Sequence, residues 1–459
     1  MSETLVPAAP LALPDTGPVT DHPAFVFERA EGRIEAYRHR GNGLALLLLP
    51  EAAAPVAALQ VTYRVGSRNE GAGLTGATHL LEHLMFKGTE RFNREAGTSI
   101  FETLQAVGAQ LNATTWYDRT NYYALVPSEH LGLVAEIEAD RMRGARISER
   151  DLAAERTVVL NELDRGENDP MRVLIHAVYA TAFLAHPYRH PVIGWRSDVE
   201  TVSAAGLRHF YDTYYWPCNA TVSVAGQVER RAVLDLVDAH FGSIPAGPGE
   251  DVVAPESVTR EPEQRGERRV TIRQAGELGA VVLGYKAPAG LERDADALDV
   301  LVQVLAHGNS SRLFRRLTDR GLTAAAFAFY PRLRDPGLFL LYGALTPGTP
   351  AADVEAGLRE ALREVARKGI TAAELARARR QVVAEEAFAR DGPFSVVAQL
   401  NEAIAVGDWT LFARYRERIE AVTAEDVQAA AARLDNDDRL TVGVYEPITP
   451  DAPPEAAAP

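Results

Sequence analysis

The sequence predicts an α+β protein of two homologous domains, each a mainly antiparallel sheet with helices packed on it. The chain has 459 residues, which exceeds the ~100 to 200 residues of an ordinary single domain. Segments in which apolar residues alternate, as in strands, are interspersed with segments of helical period. A stretch rich in Pro, Gly and charge, residues 246–267, divides the chain, and a similar order of elements begins again after it.

The first domain, residues 24–245, opens with strands. Strand-like residues flank the turn at 41–43, and residues 57–70 predict a third strand. Residues 76–89 then place apolar side chains at helical spacing and end near Gly88, a favourable residue for a helix stop. This order indicates a sheet followed by a helix.

The rest of the first domain mixes both kinds of element. Residues 108–127 return to period two with aromatic and β-branched residues, which predicts a hairpin. Ser148 resembles the first residue of a capping box and predicts a helix that runs to about residue 168. A strand at 219–228 and a helix at 229–242 complete the domain.

The second domain, residues 268–450, repeats this plan weakly. Its predicted elements are a strand, a helix, a hairpin and two long helices, at residues 280–290, 297–306, 338–346, 351–368 and 372–388. Residues 1–23 are interrupted by prolines and have no basic start, so we expect a flexible leader. We expect a disordered tail at residues 451–459 from its composition.

Composition excludes several classes of function. The 63 acidic and 48 basic residues leave a formal charge of -15, so nucleic acid is not an expected partner. Neither a membrane span of 18 apolar residues nor an anchor motif is evident, and the cytoplasm is the default expectation, with export to the periplasm left open. The single cysteine, Cys218, excludes a Cys-rich zinc module, so a metal would need His and carboxylate ligands.

The segment His79-Leu80-Leu81-Glu82-His83 carries the strongest chemical signal. Two histidines four apart on a helix lie one turn from each other on the same side, where their imidazoles can chelate zinc. Glu82 shares that side and can take a proton from the attacking water. The order is the inverted form of the more familiar zinc-peptidase helix motif.

A third metal ligand is available downstream. Glu155 and Glu162 stand seven apart in ERTVVLNEL, two helical turns, and so face the same way. We predict Glu162 as the third ligand and Glu155 as a supporting residue that either orients a histidine or modulates the charge near the metal. The alternative is a solvated acidic helix face shared with Asp164 and Glu167.

Together these segments resemble the pitrilysin or insulinase family of zinc metallopeptidases. Within that family, the sequence most resembles the smaller members with two homologous domains per chain, a branch that includes mitochondrial processing peptidase and bacterial relatives. The segments that carry it are GATHLLEHLMFKGT (76–89), QLNATTWYDRTNYY (110–123), ERTVVLNEL (155–163), HPYRHPVIGW (186–195), YYWPCNATVSVAGQV (214–228) and SSRLFRRLTDRGL (310–322).

The resemblance implies a zinc endopeptidase that cleaves short or unfolded peptides. It implies one zinc ion per chain and a clamshell chamber of which this chain forms half. Family members also hold peptide substrates as an added strand, here beside Asn112, Ala113 and Thr114, although Asn112 fits a simple hairpin residue equally well.

One departure from the family is informative. Active members usually contribute an Arg and a Tyr, seven residues apart, that stabilise the oxyanion. The alignment puts Leu317 and Ala324 at these positions, and a shift of one residue gives Arg316 and Thr323. Neither register supplies a tyrosine.

The missing pair suggests a partner. By analogy with two-chain family members, we expect a heterodimer with a homologous subunit that lacks zinc and supplies the Arg and Tyr, while a homodimer remains an alternative. The rival function is a non-proteolytic assembly subunit like the core subunits of respiratory complexes, which share the fold. Such a subunit has no need of His79, Glu82, His83 and Glu162 together.

Overall fold

The computed structural model describes residues 17–248 and 258–448. Two sheets with helices packed on them confirm the predicted α+β class. Parts of the predicted leader and linker, residues 1–16 and 249–257, lie outside the described residues, as do residues 449–450 of the predicted second domain and the whole predicted tail, 451–459. Within the described ranges, no helix combines the length and apolar character that a membrane crossing requires.

The first sheet is seven-stranded. Its strands are β1 (Phe25–Glu31), β2 (Ile34–His39), β3 (Ala45–Pro50), β4 (Val56–Tyr63), β5 (Gln110–Thr115), β6 (Thr120–Pro127) and β7 (Ala220–Gly226). Their order is β1-β2-β3-β7-β4-β6-β5, so β5 is an edge strand. The pairs are antiparallel apart from β3 and β7, which run parallel.

The helices of the first half follow the predicted order with additions. They are α1 (Ala77–Leu84), α2 (Ile100–Gln105), α3 (Leu131–Gly144), α4 (Glu149–Glu167), α5 (Pro170–Ala182), α6 (Arg196–Thr201), α7 (Ala204–Tyr214) and α8 (Arg230–Phe241). Ser148 opens α4 as predicted, because its hydroxyl oxygen accepts a 3.1 Å hydrogen bond from the backbone N of Asp151.

The second sheet is five-stranded. Its strands are β8 (Arg268–Ala275), β9 (Ala280–Lys286), β10 (Thr323–Phe329), β11 (Leu338–Leu345) and β12 (Leu440–Ile448), in the order β10-β11-β9-β12-β8. The accompanying helices are α9 (Asp294–Ala306), α10 (Ala351–Lys368), α11 (Ala372–Ala389), α12 (Gly392–Val406), α13 (Thr410–Ala421) and α14 (Ala424–Leu434).

The two sheets repeat one topology. Strands β5-β6-β4-β7-β3 of the first sheet correspond in order to β10-β11-β9-β12-β8 of the second. In both, the last pair is parallel and the others are antiparallel. Helices α1 and α9 occupy equivalent positions, since each follows the second strand of its set. This correspondence supports the predicted duplication.

Two compact units hold one sheet each and interleave along the sequence. The first unit includes residues Glu386–Tyr415 and the second includes Asn161–Pro191, so the division falls inside the continuous helix α4. The predicted domains, residues 24–245 and 268–450, are continuous in sequence, unlike these two units, and their boundaries remain a prediction.

Each of these two segments, Glu386–Tyr415 and Asn161–Pro191, contains a helix that packs on the sheet of its own unit. In the first unit, apolar residues of α12, including Val397 and Leu400, are buried in one cluster with Leu47 of β3. In the second unit, α5 packs against β9 and β12 over glycines. A Cβ at Gly443 would lie 2.4 Å from Val178 of α5, so the close approach needs glycine there.

Four predicted elements were wrong in extent, among them the strand predicted at 280–290, which ends at Lys286. The strand predicted at 57–70 ends at Tyr63. The helix predicted at 76–89 ends at Leu84, because the next bonds tighten to the i−3 pattern, as in Lys87 N to Leu84 O. The hairpin predicted at 338–346 is the single strand β11, which pairs with β10. Helices 351–368 and 372–388 are confirmed, the second with one more residue.

Candidate metal centre

Helix α1 begins at a glycine that packs closely on a neighbouring loop. Its N-cap, Gly76, has a φ of 85°, in the left-handed region that favours glycine. A Cβ at Gly76 would lie 2.5 Å from the carbonyl oxygen of Ile193 and 3.1 Å from Cα of Gly194. The loop that contains Gly194 therefore fixes the start of the helix that carries the two histidines.

The buried carboxylate of Glu70 holds the same helix start. Glu70 accepts hydrogen bonds from the backbone N atoms of Gly76 and Thr78, both at 2.8 Å, and from the Thr78 hydroxyl at 2.6 Å. These bonds satisfy N–H groups that the helix itself leaves without partners. Burial raises the pKa of Glu70 to about 8, while the three hydrogen bonds act in the opposite direction.

His79 and His83 lie one turn apart on α1, as the spacing predicts. Their ring centroids are 4.8 Å apart and their planes are inclined at 74°. Both side chains are half-buried, whereas Leu80, Leu81 and Leu84 on the other side of the helix are buried. The apolar face anchors α1 in the core, so the imidazoles face a partly solvated site.

Glu155 of α4 orients one of the histidines. Its Oε2 lies 2.9 Å from Nδ1 of His83, and Lys87 forms an ion pair with its other oxygen. The hydrogen bond with His83, assisted by Lys87, lowers the pKa of Glu155 to about 2. A carboxylate on Nδ1 makes Nε2 the nitrogen that can donate a lone pair to a metal.

Glu162 completes a set of three metal-ligating side chains. It follows Glu155 by two turns of α4 and is half-buried. One ligand atom each from His79, His83 and Glu162 lies within 4.8 Å of the other two. Two imidazoles and one carboxylate form a donor set that zinc takes in catalytic sites. The structure brings together the three predicted ligands, and these residues fit a zinc ion.

Glu82 connects the motif helix to an edge strand. It is half-buried on α1, and the hydroxyl of Thr115, the last residue of β5, donates a 2.5 Å hydrogen bond to its Oε2. Strand β5 pairs with β6 alone among the described strands, so its other edge is open. A carboxylate capable of proton transfer therefore lies beside a strand edge that can pair with an extended peptide.

Asn112, Ala113 and Thr114 lie on β5, as the predicted hairpin requires. Ala113 is buried and Asn112 is exposed. Arg119, at the turn into β6, donates a 2.7 Å hydrogen bond to the Thr114 hydroxyl and a 2.9 Å bond to Glu402 of α12. The edge strand is thus tied to a helix of its own unit.

The positions predicted to lack the oxyanion pair lie in two different environments. Leu317 is buried and packs close to Gly357 of α10. Ala324 is exposed on β10. In the shifted register, Arg316 donates a 2.8 Å hydrogen bond to Glu364, and the hydroxyl of Thr323 lies 3.0 Å from that of Thr318.

Three supporting residues were not predicted from the sequence. Glu70 caps α1, Thr115 bonds Glu82, and Lys87 pairs with Glu155. Lys87 lies one turn after His83, so its position on the side of the motif could have been read from the sequence. Glu70 and Thr115 carried no comparable signal, because they reach the helix from a loop and a strand.

Two family models match this chain. One, described as "Insulinase (Peptidase family M16)", matches residues 46–195. The other, described as "Peptidase M16 inactive domain", matches residues 201–382.

Individual proteins extend these matches. The chain is 35% identical to the zinc protease PqqE of Helicobacter pylori over 341 residues. This match covers 73% of this chain and 75% of that protein. It is 25% identical over 418 residues to a probable mitochondrial-processing peptidase subunit beta of Arabidopsis thaliana, covering 89% and 77%. The crystal structure of a protease from Helicobacter pylori superposes with a TM-score of 0.85 at 28% identity, covering 91% of this chain and 100% of that one.

Proposed function

This chain belongs to the insulinase family, peptidase family M16, and from that membership we propose that it is a zinc-dependent endopeptidase of short or unfolded peptides. The observation that carries the proposal is the meeting of His79, His83 and Glu162 within 4.8 Å. Glu82, on the same helix as the histidines, adds the group that proton transfer needs.

Each residue has a separate role in the proposed reaction. His79, His83 and Glu162 bind the metal, and Glu155 holds His83 in the orientation that presents Nε2. Bound zinc would supply Lewis-acid chemistry, lowering the pKa of a water and polarising the scissile carbonyl. Glu82 takes the proton of the attacking water and delivers it to the leaving amine.

The open edge of β5 is the proposed substrate-binding element. A peptide added as a strand beside Asn112, Ala113 and Thr114 gains affinity from backbone hydrogen bonds, which depend little on sequence. Because Thr115 joins this strand to Glu82, the added strand would pass the proposed base. Extended, unfolded segments would be selected over folded ones.

We further propose that the zinc-bearing chain works with a homologous partner. Leu317 and Ala324 carry no group that stabilises an oxyanion, while Arg316 is engaged by Glu364. A relative named as a subunit of mitochondrial-processing peptidase supports a paired assembly. A heterodimer whose second chain supplies the Arg and Tyr is the preferred arrangement, and a homodimer is the alternative.

A non-proteolytic assembly subunit is the second candidate function. The description "inactive domain" for the match to residues 201–382 favours it, as does the missing pair. It does not account for four metal-site and proton-transfer side chains gathered on α1 and α4. The compartment stays a prediction.

Hydrolysis of a quenched fluorescent peptide library by the purified zinc-loaded chain tests the proposal. We expect Glu82→Gln to lower the rate by about 10² to 10⁴-fold, because it removes the proton acceptor, while stoichiometric zinc is retained. Glu129→Gln, on a side chain 80% exposed, is the matched control and should keep the wild-type rate.

The outcomes separate the candidates. Activity that Glu82→Gln abolishes supports the peptidase and a single sufficient chain type. Zinc without activity directs the search to the partner chain. Neither zinc nor activity would favour the assembly subunit.

A further inference from the structure

A buried polar network lies between helix α12 and the sheet of the first unit. Its buried members come from three elements: Gln60 and Thr62 of β4, Asn121 of β6 and Asn401 of α12. Each is at most 2% exposed, at an interface that apolar side chains ordinarily fill. Buried polar groups are costly unless they are hydrogen-bonded, and a fully bonded network fixes the elements that it joins.

The hydrogen bonds of this network run without a break from the helix to the strands. The Thr62 hydroxyl donates to Oδ1 of Asn401 at 2.8 Å, and Gln60 donates to the carbonyl oxygen of Val397 at 2.9 Å. Asn121 donates to Oε1 of Gln60 at 3.2 Å and accepts from Asn401 at 3.3 Å. Helix α12 is therefore held on β4 and β6 by specific polar contacts.

Arg119 extends the network to the end of β5. Its Nη1 donates to Oδ1 of Asn121 at 3.0 Å and to the Thr114 hydroxyl at 2.7 Å, and that hydroxyl donates to Asn121 at 2.5 Å. Nε and Nη2 of Arg119 donate to Oε1 of Glu402, the residue after Asn401 in α12. One guanidinium group, on a side chain only 11% exposed, thus joins the edge strand to the helix.

The next residue of β5 contacts the proposed base. Thr115 follows Thr114 directly, and its hydroxyl donates to Glu82. The residue that Arg119 holds and the residue that contacts Glu82 are therefore neighbours on the strand beside which we propose that a peptide is added. A shift of this strand end would change the alignment of Glu82 with an added peptide.

We propose that Arg119, held by Glu402, is a positioning residue that aligns the end of β5 and the added peptide with Glu82. This inference rests on the proposed peptidase function and gives α12 a part in the reaction through the strand that it holds. A rigid support of this kind matters because small displacements of reacting groups cost large factors in rate.

The turn after β5 has a second support, which limits the expected effect. The backbone N atoms of Ser67 and Arg68 donate to the carbonyl oxygens of Trp116 and Tyr117, at 3.2 and 2.8 Å. Loss of the Arg119 side chain should therefore loosen the strand end without releasing the hairpin.

Steady-state kinetics of the zinc-loaded protein on one quenched fluorescent peptide test the role. Arg119→Met keeps the length of the side chain and removes its donors. We expect kcat to fall about tenfold through misalignment, with zinc content unchanged. KM should change by less than about twofold, because Asn112 and Ala113 remain paired with β6 and keep the edge that binds the peptide.

Glu402→Ala tests whether the helix acts through the arginine. The Glu402 side chain is 49% exposed, so this variant should fold even if Arg119→Met does not. Its kcat should fall about threefold, because Arg119 loses one charged acceptor. The double variant should be no slower than Arg119→Met alone, since the two residues act as one unit.

Arg230→Met is the matched control. Nε of Arg230 in α8 donates to Oε1 of Glu35 in β2 at 2.6 Å, so this pair also joins a helix to a strand of the same sheet. Strand β2 lies near the end of the sheet opposite to β5. The variant should lower the melting temperature while kcat and KM keep their wild-type values.

Amide hydrogen exchange gives a second readout that needs no catalysis. Exchange in residues 110–115 should become at least about threefold faster in Arg119→Met and Glu402→Ala, because the strand end opens more often. In Arg230→Met it should match the wild type.

The results decide the inference as follows. A lower kcat at nearly constant KM, with full zinc content and faster exchange in β5, supports the positioning role. Wild-type kcat in Arg119→Met, a loss confined to KM, or an equal loss of kcat in Arg230→Met would overturn it. A wild-type protein without peptidase activity would count against the proposed function, and exchange would then decide: faster exchange confined to the Arg119 and Glu402 variants supports positioning of β5 by α12, and unchanged exchange overturns it.

Discussion

Helices α1 and α9 occupy the same place in two copies of one topology, yet their exposed chemistry differs. Helix α1 presents His79, Glu82 and His83 at a partly solvated face. Helix α9 also buries an apolar face, but its half-buried Asp299 accepts a 2.6 Å hydrogen bond from Arg332. The duplicated scaffold sets where a helix lies, and the side chains on one turn decide whether it forms a site.

The acidic residues on the two helices illustrate the same difference. Asp296 of α9 accepts from Arg332 at 2.7 Å and from Arg418 at 2.8 Å, so both of its oxygens are engaged by guanidinium groups. Glu82 of α1 accepts from the hydroxyl of Thr115 on the edge strand. Asp296 therefore holds structure together, whereas Glu82 contacts the edge strand β5, beside which we propose that a substrate strand is added.

Removing one histidine from α1 tests this contrast at its strongest point. We expect His83→Ala to lose stoichiometric zinc and to lower peptidase activity by at least about 10³-fold, because two ligands hold the metal poorly. Metal analysis after dialysis and the peptide assay measure both effects. His307→Ala, at the end of the equivalent helix α9, is the matched control and should change neither quantity.

The contrast fails if His83→Ala keeps its zinc, because another ligand set would then hold the metal. It also fails if His307→Ala loses zinc.

A core substitution in α9 tests the other side of the comparison. Leu301 is fully buried, so Leu301→Ala should lower the free energy of unfolding by about 2–5 kcal/mol through a cavity. Urea denaturation measures the loss, and zinc content of the folded protein should stay unchanged. Leu84→Ala, equally buried in α1, should cost similar stability and also weaken zinc binding. Zinc loss in Leu301→Ala would contradict a purely structural role for α9.

How much of the site could be predicted depended on sequence distance. His79, Glu82 and His83 were readable because helical spacing alone puts them on one side, and the same argument paired Glu155 with Glu162. Thr115 lies 33 residues from Glu82, and no local pattern marks a hydroxyl that will reach it. Contacts of this kind depend on how the chain folds back, which periodicity does not reveal.

The fold was predictable in class and less so in its packing. Alternation predicted most strands of the first sheet, and helical period predicted α4, α8, α9, α10 and α11, whereas α3, α5, α7 and α12 to α14 were not predicted. The sequence did not predict which sheet α5 and α12 cover, because an amphipathic helix has the same pattern whichever sheet it packs on. Gly443 leaves room for Val178 of α5, but the sequence alone does not connect this glycine with that helix.

A smaller effect on zinc binding is expected from Glu155 of α4, which contacts His83 of α1. Glu155→Gln should weaken zinc binding about 10 to 100-fold, because the residue holds His83 through Nδ1. Competition with a chelator of known affinity measures the Kd. Asp238→Asn is the matched control, since it alters a similar 2.9 Å contact to His39 without a metal site. Wild-type zinc affinity in Glu155→Gln would show that the negative charge of Glu155 is not needed to hold His83, since the amide oxygen can still accept from Nδ1.

The smallest effect is expected where the edge strand meets the motif helix. Strand β5 ends in Thr115, whose hydroxyl donates to Glu82, whereas the equivalent strand β10 ends in the exposed Phe329. Thr115→Val keeps the side-chain shape and removes the donor, so kcat should fall about two- to tenfold, the worth of one hydrogen bond. Thr115→Ser restores the hydroxyl and should recover most of the rate with zinc content constant. If valine and serine behaved alike, Thr115 would position the strand by packing alone, and the link between the β5 edge and the proposed base would have to be sought in other groups.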